Sequence, residues 1–177
     1  MEISQTSQYS IYWGGRLVAS HAKSFGMKIM AFDPFVPAEA MEAEGVIVAK
    51  TLEDLYENSH FVSLHIPATE QTKNSIGYNL LSRMPKGGCL VNTARKEVVN
   101  EEELIKVLRE REDLKYITDV ATANHAAIAE EFGKRVFATP KKMGAETAEA
   151  NVNAGLAAAN QICDYFATGN TRFQLNK

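Results

Sequence analysis

The chain has 177 residues, of which 45% are hydrophobic, and it carries 19 lysines and arginines against 22 aspartates and glutamates. This composition predicts one globular domain, and the net charge of -3 argues against nucleic-acid binding, which needs a clustered basic excess. The two cysteines, Cys89 and Cys163, are too few for a disulfide framework or a zinc site, so we expect two buried small side chains and no metal. No apolar run approaches the roughly 18 residues that span a bilayer, and the N-terminus does not resemble a signal peptide, which predicts a cytoplasmic protein.

Short apolar segments alternate with segments of helical period along the chain. The predicted strands are Tyr9 to Trp13, Lys28 to Phe32, Val46 to Ala49, Phe61 to His65, Cys89 to Asn92, Tyr116 to Val120 and Val136 to Ala138. The predicted helices are Arg16 to Phe25, Ala38 to Ala43, Leu52 to Glu57, Asn79 to Met84, Glu101 to Arg109 and Ala145 to Ala167. Alternation of this kind is typical of an α/β fold with a doubly wound parallel sheet, similar to the Rossmann fold. We therefore expect a loose tail over residues 1–8 and one domain over residues 9–177, ending in a long Ala-rich helix. The apolar face of this helix is expected to be core, with a partner site as the alternative.

Gly14 and Gly15 stand between the first predicted strand and the first predicted helix. A doubly wound fold presents main-chain N–H groups to a pyrophosphate at this place. The full dinucleotide pattern has three glycines, G-x-G-x-x-G, so two adjacent glycines are a weak signal alone. Eighteen residues after Gly15, Asp33 ends the second strand, where a carboxylate binds the ribose hydroxyls of a dinucleotide and repels a 2′-phosphate. Asp33 also precedes Pro34, so a turn residue is the alternative interpretation.

Arg95 and Asp119 follow two neighbouring predicted strands at their carboxyl ends. Ligands bind at that edge of an open parallel sheet, so the two charges predict a site. The guanidinium of Arg95 is suited to hold a carboxylate through two parallel hydrogen bonds and to polarise a neighbouring carbonyl. The alternative for Arg95 is an ordinary surface ion pair.

Five motifs in order carry a resemblance to a known family: GMKIMAFDP from Gly26, VSLHIPAT from Val62, KGGCLVNTAR from Lys86, YITDV from Tyr116 and ATPKKMGAET from Ala138. Together they resemble the cofactor-binding domain of NAD-dependent D-2-hydroxyacid dehydrogenases, and within that family the phosphoglycerate dehydrogenase branch. The resemblance implies that NAD is the cofactor and that a small anionic 2-hydroxy acid is the substrate. It implies that Arg95 binds the substrate carboxylate, that Asp33 binds the ribose and that Asp119 holds the nicotinamide carboxamide. The other implied cofactor-binding residues are Gly14, Gly15, Arg16, Ile66, Pro67, Thr93 and Ala94.

The family pattern changes at the position of its catalytic acid/base. Most members have a histidine after the last strand, in the pattern Thr-Pro-His-x-Gly, and aligned from Gly144 this chain has Lys142 there. An ammonium donates a proton in the carbonyl-reducing direction, whereas in the oxidising direction the lysine must first be neutral. The carboxylate that usually pairs with the histidine is also replaced, by Asn124 and His125. That carboxylate favours a charged imidazole, so a chain without the histidine has no use for the carboxylate either. Lys142 is therefore the candidate proton carrier, and His125 is a minor candidate.

The family's substrate lobe, which precedes the glycine turn in typical members, has no counterpart in this sequence. In the family that lobe closes over the substrate and excludes water. Three functions therefore stay open: the NAD-binding domain of a phosphoglycerate dehydrogenase-like oxidoreductase, a non-catalytic nucleotide-binding or interaction domain, and a dehydrogenase of another 2-hydroxy acid. We also expect the exposed apolar surface to associate with further copies of the chain or with the absent lobe.

Overall fold

The computed structural model describes residues 6–7, 13–122, 124–140 and 147–174. The chain forms two compact units, Met1–Pro140 and Lys141–Lys177. The first contains β1 (Thr6–Ser7), α1 (Trp13–Ser24), β2 (Lys28–Ala31), α2 (Ala38–Ala43), β3 (Ile47–Val48), α3 (Leu52–Glu57), β4 (Phe61–Leu64), α4 (Tyr78–Leu81), β5 (Cys89–Asn92), α5 (Glu101–Glu110), β6 (Lys115–Thr118), α6 (His125–Phe132) and β7 (Val136–Ala138), with short 3-10 helices at Lys96–Val98 and Gly133–Arg135. The second contains α7 (Ala148–Thr168). The boundary of one domain over residues 9–177 stays a prediction.

The strands form one parallel sheet in the order β3-β2-β1-β4-β5-β6-β7. Every pairing is parallel, with Leu64 beside Asn92 and Asn92 beside Thr118. The order reverses direction between β1 and β4, and since crossovers between parallel strands are almost always right-handed, such an order is the one expected of a doubly wound sheet. The predicted doubly wound α/β fold is confirmed, and its switch point lies where such sheets bind ligands.

The beginning of the fold differs from the prediction. The first strand is Thr6–Ser7, within the predicted tail, and Trp13 begins α1 instead of ending a strand. The rest of the predicted strand, residues 8–12, lies outside the described residues. Gly14 and Gly15 therefore belong to the first turn of α1, and not to a turn before it. The first N–H groups of a helix have no partner within the helix, so they can bind an anion. Glycines in this first turn leave those groups accessible.

The core lies between the central strands and α5. Val62 of β4, Leu90 of β5, and Val107 and Leu108 of α5 are fully buried. Burial of each such side chain contributes about 1.5–3 kcal/mol, which holds β4, β5 and β6 in fixed register. Cys89 is buried as expected, and this burial raises the pKa of its thiol.

Helix α5 is capped by Asn100, the residue before its first turn. The side chain of Asn100 accepts a hydrogen bond from the N–H of Glu103 over 3.2 Å. The second half of a capping box is not formed, because the carboxylate of Glu103 instead accepts a hydrogen bond from the N–H of Tyr78 over 2.6 Å. The cap thereby joins the starts of α4 and α5.

Helix α7 is capped at its start by Thr147, whose hydroxyl accepts the N–H of Ala150, and at its end by Gly169, which has a left-handed backbone with φ of 72°. Its apolar side chains, expected in a core, are exposed, and so is Cys163, which was expected to be buried. No helix among the described residues is long and apolar enough to cross a membrane. In the same residues no group of histidine, cysteine, aspartate and glutamate side chains is arranged to hold a metal ion.

Candidate functional site

The predicted site residues follow the carboxyl ends of strands in one parallel sheet. Asp33 follows β2, Ile66 and Pro67 follow β4, Thr93 to Arg95 follow β5, and Asp119 follows β6. Because all these strands are parallel, their carboxyl ends meet at one edge of the sheet, and the first turn of α1 with Gly14 and Gly15 begins at the same edge. The strand order therefore places this set at a single edge of the sheet, at the switch point, while the role of each residue stays a prediction.

The loop that carries Arg95 is held by the buried side chain of Asn92. Its Oδ1 accepts the N–H of Ala94 over 3.0 Å, and its Nδ2 donates to the main-chain oxygen of Arg95 over 3.0 Å. Ala94 packs in part against the core, whereas Thr93 and Arg95 are exposed. The loop is thus fixed at its base, and the two side chains thought to meet ligands face outward.

The guanidinium of Arg95 takes part in none of the ion pairs formed by the described residues. Its Nη1 donates to the main-chain oxygen of Ala94 over 2.9 Å. The described residues therefore do not form the surface ion pair that was the alternative interpretation of Arg95. A guanidinium has five N–H donors, so most of them remain to bind an anion.

Asp119 lies one residue beyond β6 and is half-buried. Its N–H donates to the main-chain oxygen of Asn92 over 3.3 Å, and its Oδ1 is buried with no hydrogen-bond partner among the described residues. A buried carboxylate oxygen without a donor is unfavourable, and it is satisfied by a ligand that brings an N–H group. The carboxamide of a nicotinamide brings such a group, so this observation fits the cofactor.

Asp33 forms the turn that the alternative interpretation predicts. Its Oδ1 accepts the N–H of Phe35 over 2.8 Å, which closes the turn around Pro34. A carboxylate offers about four acceptor positions, so the turn bond and a ribose contact are compatible. Gly15 is buried in the first turn of α1, which suits close packing of that helix near the phosphate position. These residues fit the adenosine half of a dinucleotide.

Arg16 is engaged elsewhere. It forms an ion pair with Glu44, the residue that follows α2, and 59% of its side chain is exposed. The pair joins the first turn of α1 to the residue that follows α2. A cofactor contact of Arg16 stays a prediction that requires this ion pair to open.

The segment after β4 contains two contacts that the sequence did not indicate. Ser63 Oγ and His65 Nε2 lie 2.9 Å apart in a hydrogen bond, and burial lowers the pKa of the imidazole, which favours its neutral form. The hydroxyl of Thr72 donates to the main-chain oxygen of Pro67 over 2.6 Å. These contacts fix the course of the loop that carries Ile66 and Pro67. The alternation of strand residues carries no signal for a side-chain contact between positions 63 and 65, although both point to one face of β4.

Only part of the predicted acid/base region lies within the described residues. Lys142 and its neighbour Lys141 lie outside the described residues. Of the two residues that replace the family carboxylate, Asn124 donates to Glu101 Oε1 over 2.8 Å, and His125 begins α6. Helix α6 was not predicted, and its first turn is tied to the start of α5 by this contact.

Parallel strand order, a switch point, and carboxylates after β2 and β6 define a dinucleotide-binding domain. Residues 14–154 match the family described as D-isomer specific 2-hydroxyacid dehydrogenase, NAD binding domain. The chain belongs to this family, whose domain binds NAD.

Individual relatives agree with this assignment. A D-3-phosphoglycerate dehydrogenase of Methanocaldococcus jannaschii is 33% identical over 156 residues, which cover 84% of this chain and 28% of that protein. A glyoxylate reductase of Korarchaeum cryptofilum is 45% identical over 96 residues, 54% of this chain and 29% of that protein. The crystal structure of NAD+-bound 3-phosphoglycerate dehydrogenase of Entamoeba histolytica matches with a TM-score of 0.86 and 46% identity, covering 100% of this chain and 57% of that one. This chain thus spans little more than half of that solved relative and less of the curated ones.

Proposed function

We propose that this chain is the NAD-binding domain of a D-3-phosphoglycerate dehydrogenase-like oxidoreductase, which converts 3-phosphoglycerate to 3-phosphohydroxypyruvate in serine biosynthesis. The observation that carries this proposal is the match over the whole chain, at 46% identity, to a solved 3-phosphoglycerate dehydrogenase. Relatives of the same name in Methanocaldococcus jannaschii and Synechocystis support it, each 33% identical over more than four-fifths of this chain. When bound, NAD accepts the hydride from the carbon that carries the 2-hydroxyl group.

Arg95 binds the carboxylate of the substrate in this proposal. Its side chain is exposed at the carboxyl end of β5, while its main chain is held by Asn92. A planar guanidinium forms two parallel hydrogen bonds with a carboxylate, which orients the neighbouring carbon as well as holding the charge. Asp119 accepts a hydrogen bond from the nicotinamide carboxamide and thereby sets the rotation of the ring.

Lys142 carries the proton. In the oxidising direction its neutral amine takes the proton from the 2-hydroxyl as the hydride leaves, and in the reducing direction its ammonium returns the proton to the carbonyl oxygen. No carboxylate partner is needed, because a lysine has no second nitrogen to orient. Asn124, at the position of the family carboxylate, is occupied by its contact with Glu101.

A dehydrogenase of another 2-hydroxy acid is the second candidate. Relatives named glyoxylate reductase, (S)-sulfolactate dehydrogenase and hydroxypyruvate reductase are 41–45% identical over about half of this chain. All of these acids have a carboxylate next to the reacting carbon. Arg95 would bind that carboxylate whatever the rest of the substrate is. We further propose a cytoplasmic location and association into a homo-oligomer, as expected from the sequence.

Cofactor binding and turnover test the proposal separately. NADH binding is followed by fluorescence, and turnover is measured with 3-phosphohydroxypyruvate and, in parallel, with glyoxylate. We expect NADH binding together with a higher kcat/KM for the phosphorylated substrate. A preference for glyoxylate supports the second candidate, and NADH binding without any turnover supports a non-catalytic domain.

Two substitutions with matched controls assign the residues. Arg95→Ala is expected to lower kcat/KM by about 100-fold or more, since a bidentate charged contact is lost, and Arg95→Lys recovers only part of it. The control is Lys96→Ala, which removes a neighbouring exposed cation. Lys142→Ala is expected to lower kcat by about 100-fold with NADH binding retained, and Lys134→Ala serves as its control. Activity retained in Lys142→Ala contradicts the proton-carrying role.

A further inference from the structure

We infer that Asn92 is a positioning residue that couples the Arg95 loop to Asp119. This inference rests on the proposed roles of Arg95 and Asp119, since it says how one buried residue sets both at once. Asn92 is the last residue of β5, it is fully buried, and its neighbours across the sheet are Leu64 of β4 and Thr118 of β6. A buried amide is unfavourable unless its donors and its acceptor are all used, so its contacts decide what it does.

The side chain of Asn92 is matched to the loop that follows it. The N–H of Ala94 is a donor and must face the amide oxygen, whereas the main-chain oxygen of Arg95 is an acceptor and must face the amide nitrogen; both distances are 3.0 Å. The second amide hydrogen points to the hydroxyl of Tyr116 over 3.4 Å. Tyr116 is itself buried, so this contact anchors the amide from the neighbouring strand. One acceptor and two donors are required, and only an asparagine of this length supplies them.

The main-chain oxygen of Asn92 connects to the other loop. It accepts the hydroxyl of Thr118 over 2.8 Å and the N–H of Asp119 over 3.3 Å. The same hydroxyl of Thr118 accepts the N–H of Val120 over 3.0 Å, which fixes the chain on both sides of Asp119. Thr118 is 2% exposed, so none of these bonds competes with bulk water.

The two sets of bonds meet in one residue. The side chain of Asn92 sets the main chain at Ala94 and Arg95, and its carbonyl sets the main chain at Asp119. A displacement of Asn92 therefore moves the carboxylate clamp and the carboxamide acceptor together. The relative placement of substrate and nicotinamide is sensitive to such shifts, because hydride transfer requires a close and aligned approach.

The test uses the full chain and two readouts that need no turnover: amide hydrogen exchange over residues 93–95 and 119–120, and the Kd for NADH. Asn92→Ala is expected to speed exchange in both segments and to weaken NADH binding about tenfold, although Asn92 is not itself a proposed cofactor ligand. Asn92→Ser, whose hydroxyl can still accept the N–H of Ala94, is expected to recover part of the NADH affinity. Val107→Ala is the matched control, because it destabilises the core in α5 without touching either loop.

Thr118→Val keeps the test decisive if Asn92→Ala does not fold. It removes only the hydroxyl on β6, and coupling predicts faster exchange at Ala94 in the other loop. Faster exchange in Thr118→Val that is confined to residues 118–120 overturns the coupling. NADH binding by Asn92→Ala or Asn92→Ser that is no weaker than binding by Val107→Ala overturns it as well. If the unmodified chain binds NADH but turns over neither 2-oxo acid, the proposed reaction fails, while the exchange and NADH readouts still decide the role of Asn92.

Discussion

Arg111 and Asp113 form an ion pair across a single intervening residue, with Arg111 Nε and Asp113 Oδ1 separated by 3.2 Å. Each also binds the main chain that leads into β5. The guanidinium donates to three main-chain oxygens between residues 82 and 85, and the carboxylate accepts the N–H of Gly87 over 2.7 Å. The pair therefore joins the connections that enter β5 and β6 at the edge of the sheet opposite the site, and so supports the strands that carry Asn92 and Asp119.

Arg111→Ala is expected to lower the free energy of unfolding by about 2 kcal/mol, because it removes the guanidinium that donates to three carbonyls and pairs with the carboxylate of Asp113. The measurement is urea unfolding at neutral pH. Arg109→Ala is the control, since its ion pair with Glu131 is exposed and is expected to contribute little to stability. Equal losses in the two variants would contradict the structural role of Arg111.

The stability of the protein should fall in acid partly through Asp113. Hydrogen bonds from Arg111 and, to a smaller degree, Gly87 lower the pKa of Asp113 from 3.8 to about 2. A lowered pKa in the folded state means that the stabilisation is present above about pH 4 and is lost as the pH falls through 2. Urea unfolding should therefore give a higher free energy of unfolding for the unmodified chain than for Asp113→Asn at pH 6. This difference should shrink as the pH is lowered to 2. A difference that is constant with pH would contradict the prediction.

Asp119→Ala is expected to weaken NADH binding about tenfold, since it removes the buried oxygen that we propose accepts the carboxamide. Fluorescence titration with NADH measures the effect. The same titration with ADP-ribose, which lacks the nicotinamide, should be unchanged. Glu112→Ala provides a control for the loss of an exposed carboxylate, and equal weakening of NADH and ADP-ribose would show that Asp119 does not meet the nicotinamide.

Asp33→Asn separates the two functions that the sequence offered for this residue. The amide oxygen of asparagine can still accept the N–H of Phe35, so the turn should persist, while the charge that repels a 2′-phosphate is lost. We expect the ratio of the NADPH Kd to the NADH Kd to fall about tenfold with little change in the free energy of unfolding. An unchanged ratio would leave Asp33 as a turn residue only.

Two strands have the bounds that the sequence predicts: Cys89–Asn92 in the middle of the sheet and Val136–Ala138 at its edge. Short apolar runs between turn signals are typical of strands in a parallel sheet. The first strand was placed wrongly, since Thr6–Ser7 is polar and its position depends on pairing with β2 and β4. Helix α6 was missed because its small residues produce only weak periodicity.

The sequence by itself determined the family, the alternation of strands and helices in an α/β fold, and the strand ends at which Asp33, Arg95 and Asp119 stand, because local apolar patterns and short motifs encode these features. Only the tertiary structure decided how those residues are held. Asn92 was visible as part of a motif, but its bonds to Tyr116 and Thr118 join positions on different strands. Likewise Arg16 was placed against Glu44 by the packing of α1 beside α2. Hydrogen bonds between segments far apart in the chain depend on burial and register, which a single sequence does not reveal.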